Sequence, residues 1–168
     1  MRWTLKTDPN PTTVHQLSDE LSIDKTLSKI LVQRGISNFE EAKKFFRPSL
    51  DELHDPFLLK DMDVAVARIE KAIANKENIL VYGDYDVDGT TAVSLVASYL
   101  RTIVSNIASY IPDRYDEGYG ISYQGIDFAS DNDFTLIIAL DCGIKAIEKV
   151  AYASEKNIDF IICDHHKP

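Results

Sequence analysis

The chain has 168 residues, of which 45% are apolar, and a formal net charge of −9. That length favours one main domain with at most a small accessory part, and no apolar run approaches the ~20 residues of a membrane span. Residues 1–60 balance nine basic against nine acidic side chains, so the whole excess lies in residues 61–168; such diffuse acidity argues against tight nucleic-acid binding by this chain alone.

Residues 1–60 read as short helices and loops. Apolar residues at 27, 30 and 31 predict a helix over 27–34, stopped by Gly35. Ser37-Asn38-Phe39-Glu40 reads as a capping box opening a helix to about Phe46. Pro48 and Pro56 punctuate a linker. His15 and His54 read as surface or packing residues, and nothing here carries chemistry. The expectation is a helical lead-in over 1–60 and a domain over 61–168. Met1 to Lys6 lacks the apolar stretch of a signal peptide, so a cytoplasmic protein is expected, with no membrane partner.

From Asp61 the pattern changes. Val64, Ala65, Ala67, Ile69, Ala72 and Ile73 supply one side of an amphipathic helix over 61–74. Short apolar runs predict strands over 79–83, 107–111, 135–140 and 158–163, and the stretches between them predict helices over 91–104, 122–130 and 143–156. Near-continuous apolar strands, alternating with helices, indicate an α/β fold: a mostly parallel sheet covered by helices on both faces.

The strand ends carry the chemistry. Ile79 to Gly83 runs into Asp84, Asp86 and Asp88, three acids in five residues, which repel more than a turn requires. Gly89 allows close backbone approach, and Thr90 is a candidate cap for the next helix. Asp141 ends the third strand; alone, it reads as well as a helix cap as a ligand. Asp164-His165-His166 follows the fourth strand. Arg114, past the second strand, opens a glycine-rich loop and has the donors to clamp a phosphate. Ligands of such sheets bind outside the carboxyl ends of the strands. Converging carboxylates call for cations, and oxygen with some imidazole suits Mn2+ or Mg2+ rather than a thiolate zinc site. Cys142 and Cys163 read as small buried residues kept reduced. Asp86-Val87-Asp88-Gly89-Thr90 also looks like the first motif of haloacid-dehalogenase-type phosphatases. Gly83-Asp84-Tyr85 intervenes after the strand, however, and no downstream lysine followed by paired acids is present.

Taken together, Gly83 to Gly89, Leu140-Asp141-Cys142-Gly143 and Asp164-His165-His166 resemble the first three motifs of the DHH phosphoesterases. Within that superfamily, the first motif and the segment Ile111 to Gly120 look like the RecJ family of single-stranded-DNA-specific exonucleases, as does the helical lead-in. The resemblance implies a Rossmann-like domain and a two-metal centre using Mn2+ or Mg2+. Asp84 and Asp86 would hold one metal, Asp88 and His165 the other, and Asp141 would bridge them. His166 would meet the scissile phosphate, and Asp164 would support the histidines. The implied activity is 5′-to-3′ hydrolysis of single-stranded DNA in recombination and repair, with a single-strand binding protein and a helicase as partners. RecJ-like proteins continue past this point, so the expectation is a domain incomplete at its C-terminal end, its second metal site unfinished and its activity alone weak or absent. Two further readings stay open: a DHH phosphoesterase of short oligonucleotides, cyclic dinucleotides or pyrophosphate, and a non-catalytic replication-scaffold relative.

Overall fold

A computed structural model describes residues 4–168. They form two compact units that part between Leu58 and Leu59.

The first unit holds helices α1 (Pro11–Leu21), α2 (Lys25–Gln33) and α3 (Phe39–Phe46). Helix α1 is not among the helices read from periodicity. It begins because Asn10 caps the Thr12 N–H at 2.9 Å and Pro11 stands where a helix needs no donor. Leu17, Leu31, Ile36 and Ala42 form the small core. The cap of α3 differs by one residue from the predicted box. Asn38 is the N-cap and bonds the Glu41 N–H, while the Glu41 carboxylate, not that of Glu40, reaches back to Ser37.

The second unit runs α4 (Met62–Asn75), β1 (Asn78–Gly83), α5 (Val87–Leu100), β2 (Ile107–Tyr110), α6 (Tyr123–Asp131), β3 (Phe134–Leu140), α7 (Ile147–Glu155) and β4 (Asp159–Cys163). All pairings are parallel, in the order β2-β1-β3-β4. Side chains of a strand alternate faces, and both faces of the central strands are covered. Leu80, Tyr82, Ile137 and Ala139 pack with Ile126 and Ala129 of α6 and Ala153 of α7. Ile79, Val81, Leu136, Ile138 and Leu140 pack with Ala72 of α4 and Val93, Ala97 and Leu100 of α5. Each large side chain so buried contributes about 1.5–3 kcal/mol. That double coverage is why β1 and β3 read as continuous apolar runs rather than alternating ones.

The order places a topological switch between β1 and β3: the chain leaves β1 towards β2 and leaves β3 towards β4. In open parallel sheets the crevice for ligands opens there, beyond the carboxyl ends. At the other end the Arg68 guanidinium bonds Glu77 (2.7 Å) and Asp159 (2.6 Å), and Glu77 also accepts from the Thr135 hydroxyl at 2.7 Å. This clasp ties α4 to the starts of β1, β3 and β4.

Most predicted boundaries shift by a residue or two, α5 ends at Leu100 rather than 104, and three shifts lie next to the strand ends. Helix α5 begins at Val87 rather than 91, because Asp86 caps it; Thr90 lies inside, with its hydroxyl donating to the Asp86 carbonyl. Helix α7 begins at Ile147 rather than 143, with Ala146 as its N-cap, so Asp141 is not a helix cap. Strand β2 ends at Tyr110 rather than Ile111. Cys142 is buried as expected, whereas Cys163 is exposed because β4 lies at the sheet edge. Among the described residues no helix is long and apolar enough to cross a membrane.

Candidate metal centre

Asp84 follows β1 directly and is fully buried. Neither of its carboxylate oxygens has a hydrogen-bond partner among the described residues. A buried, unpaired carboxylate costs several kcal/mol, so a protein keeps one only where something else meets the charge. Its backbone is locked from behind by α5. A Cβ on Gly89 would lie 2.5 Å from the Asp84 carbonyl oxygen and 2.7 Å from its nitrogen, so only glycine permits this approach. Asp86 and Asp88 occupy the opening of α5, where the helix dipole favours acids. The Asp86 carboxylate accepts the Gly89 N–H at 2.9 Å; Asp88 is exposed in the first turn.

Asp141 ends β3 in the left-handed backbone region, which aspartate tolerates better than most residues. Its N–H donates to the Cys163 carbonyl at 2.8 Å, extending the β3–β4 register past the strands. One of its oxygens lies 3.2 Å from His165 Nε2. Asp141, His165 and His166 each offer a ligand atom, and these atoms all lie within 4.8 Å of one another.

Asp164 stands behind this group, its side chain only 2% exposed. One oxygen accepts the Ile144 N–H at 3.0 Å; the other accepts the His166 N–H at 3.1 Å and meets His166 Nδ1 at 2.7 Å. Burial works to raise its carboxyl, but these donors outweigh it and hold the group below the usual carboxylate value. The same contact raises His166 above the usual imidazole value and fixes which ring nitrogen faces the acid. Burial pushes the Cys142 thiol up to about 12, and Asp84, Asp164, Asp141 and Asp86 reinforce the shift. Those four acids therefore share one electrostatic environment, and Cys142 is packing rather than a nucleophile.

Arg114 is exposed, with its guanidinium 4.6 Å from the centre of the Tyr85 ring. Tyr85 in turn meets Tyr119 edge to face at 6.2 Å. The loop carrying Arg114 and Tyr119 is held by Glu117, which accepts from the Asp113 N–H, the Tyr110 hydroxyl and the Ser122 hydroxyl. Tyr82 OH adds a bond to the Gly120 carbonyl at 2.9 Å. Of these residues only Arg114 is expected from the sequence; Tyr85, Tyr119 and Glu117 are not. The available signal for the loop was Tyr119 set between Gly118 and Gly120, with Glu117 just before them and a cation at Arg114.

The predicted set thus divides. Asp141, His165 and His166 form one cluster; Asp84, Asp86 and Asp164 act with Asp141 on Cys142 and Tyr119; Asp88 stands at the exposed opening of α5. The donor chemistry, carboxylate oxygen with imidazole, and the unpartnered Asp84 both fit a hard divalent cation.

Comparison with known proteins agrees with this chemistry. The model of the DHH family, N-terminal domain, matches residues 78–168. The single-stranded-DNA-specific exonuclease RecJ of Bacillus subtilis (strain 168) is 38% identical over all 168 residues. The chain spans about a fifth of that relative's length, 21%. A crystal structure of exonuclease RecJ bound to manganese is 31% identical, with a TM-score of 0.61 over 66% of this chain and 28% of that one. RecJ from Thermus thermophilus, solved in complex with Mn2+, matches in fold with a TM-score of 0.68 over 99% of this chain and 23% of its own, at 23% identity. With its three strand-end motifs inside the matched segment, the chain belongs to the DHH family.

Proposed function

We propose that this chain carries the metal-binding half of the active site of a single-stranded-DNA exonuclease that hydrolyses phosphodiester bonds in the 5′-to-3′ direction. The observation that carries the reading is Asp84. A buried carboxylate with two free oxygens follows β1, at a strand end adjacent to the one that carries Asp141 of the Asp141–His165–His166 cluster. The relatives' names supply the substrate class.

On this reading Asp84 and Asp86 would hold one Mn2+ or Mg2+ and Asp88 and His165 a second, with Asp141 available to both. Such a pair supplies an activated water at neutral pH and offsets charge on the attacked phosphate. The chain's own residues do the rest. Asp164 fixes the His166 ring so that its outer nitrogen can donate to a non-bridging phosphate oxygen. Arg114 supplies a planar donor for a further phosphate, and Tyr85 beneath it limits where that donor can point. Glu117 holds the loop that places Arg114.

The test is a calorimetric titration of Mn2+ into this chain and into its Asp84→Asn and Asp141→Asn variants. Binding weakened at least about tenfold by each substitution is expected, the loss typical of altering a metal's surroundings or more. Binding that neither variant changes would overturn the assignment.

A further inference from the structure

Helix α3 turns only Ala42 into the core of the first unit. The end of the helix and the residue after it read Lys43-Lys44-Phe45-Phe46-Arg47, and all five are exposed. Cations suit a helix C-terminus, whose carbonyls draw them, so the lysines by themselves call for no partner. The rings do. Phe45 is 53% exposed and Phe46 61%, and they meet edge to face with centres 5.1 Å apart. Contiguous apolar surface of this kind marks a place that something else covers. From Ala42 to Leu50 there is no acid, in a chain whose net charge is −9. Glu52, just beyond, meets Lys44 at 3.6 Å, while the Lys43 and Arg47 side chains have no partner among the described residues. Leu50 adds apolar surface at the edge of this patch, and Asp51 and Glu52 bound it.

We propose that Lys43, Phe45, Phe46 and Arg47 form a contact for a single strand of nucleic acid, in the first unit and built from residues that the metal centre does not use. A protein partner would need an acid placed against each cation. A strand brings a phosphate at every step and a base face between phosphates, which is the pattern of rings among cations. A duplex hides those base faces, so the strand is single. Stacking accepts any base, because every base has a flat face. DNA and RNA share this chemistry. The acids of the rest of the chain oppose a polyanion, so the contact is weak and sensitive to salt, in the ~10⁻⁴–10⁻⁶ M range of non-specific binding. It holds a strand without cutting it, and it stands or falls independently of the metal-centre reading.

The experiment follows the fluorescence anisotropy of dye-labelled oligothymidylate and oligouridylate of about 20 nucleotides, longer than the ~4–16 that one such site covers, and of a duplex of the same length. The full chain is added in EDTA, so that no metal-dependent contact takes part. Both single strands should bind alike, and at least about tenfold tighter than the duplex. Phe46→Ala should weaken them about fivefold or more, the loss of one stacked base, whereas Phe46→Tyr keeps the ring and the binding. Lys43→Gln should make the dependence of log affinity on log salt shallower by about 0.7, one phosphate contact fewer. Asp141→Asn, at the metal centre, should weaken neither strand. Absence of strand binding, a duplex bound as tightly, or binding unmoved by Phe46→Ala and Lys43→Gln overturns the contact. Binding lost in Asp141→Asn overturns it too, by placing the strand at the metal centre instead. So does sedimentation in which the chain self-associates without nucleic acid and Phe46→Ala abolishes this, because the rings then seat a second copy.

Discussion

A methyl group at position 89 would have to sit 2.5 Å from the carbonyl oxygen of Asp84 and 2.9 Å from its carbonyl carbon. Those are backbone atoms, so no rotamer change relieves the contact. Gly89→Ala is expected to destabilise the second unit by about 1–3 kcal/mol and to weaken Mn2+ binding, because either α5 or Asp84 must move. Thermal unfolding and a Mn2+ titration check both; a variant normal in each would show that the approach is slack. Asp84→Asn should behave differently. Removing an unpaired buried charge should raise metal-free stability by about 1–3 kcal/mol, while the stabilisation that added Mn2+ gives disappears. A variant less stable without metal would mean that the charge is already met by protein groups. At this scale the sequence made the acids legible, since each follows an apolar run. It could not show which lone pairs are already used. Asp86 is committed to Gly89 and Asp164 to Ile144 and His166. The Ile144 contact spans twenty residues, and no local pattern encodes it.

The elements differ most from their predicted extents where such distant contacts intervene. Residues 143–146 fit a helical pattern, yet Gly143 takes a positive φ and the Ile144 N–H is drawn to Asp164, so α7 waits until Ile147. At α5 the competition was local: both Asp86 and Thr90 are cap residues, and the earlier one extends the helix by a turn. The loop from Asp113 to Ser122, read as a glycine-rich loop, is ordered by side chains close in sequence. It has no regular structure, but Glu117 gathers donors from β2, from the loop and from the start of α6. Glu117→Ala leaves the Tyr110 and Ser122 hydroxyls without their acceptor, for a loss of about 1–3 kcal/mol. The expected signature is faster hydrogen exchange at Asp113 and Ser122 with Mn2+ affinity unchanged, since this loop supplies no metal ligand. A loss of Mn2+ affinity equal to that of Asp141→Asn would instead make Glu117 part of the centre.

At the scale of the whole second unit, the parallel α/β class was legible because β1 is apolar from Ile79 to Tyr82 and β3 from Leu136 to Leu140. The strand order was not. Four strands of similar composition can be ordered in several ways, and side-chain packing on both faces decides. Yet the order β2-β1-β3-β4 is what brings Asp84 and Asp141 to adjacent strand ends. The opposite end of the sheet must hold that order without metal, and there the Arg68–Glu77–Asp159 clasp spans three strand starts. The Thr135 hydroxyl, followed by Arg68 and Asn75, outweighs burial and holds the Glu77 carboxyl down at about 2, from an ordinary 4.5. A carboxyl depressed in the folded state adds stability above its unfolded value and loses it as pH falls through the folded one. Glu77 is 17% exposed, so its contribution at neutral pH is on the order of 2 kcal/mol. That stability should fade as pH drops from about 4.5 towards about 2. Urea midpoints measured down this range for the chain and for Glu77→Gln separate this group from other carboxylates. The variant should be less stable at pH 7, with the gap closing as the solution is acidified. A gap independent of pH would mean that Glu77 acts through packing and not through its charge.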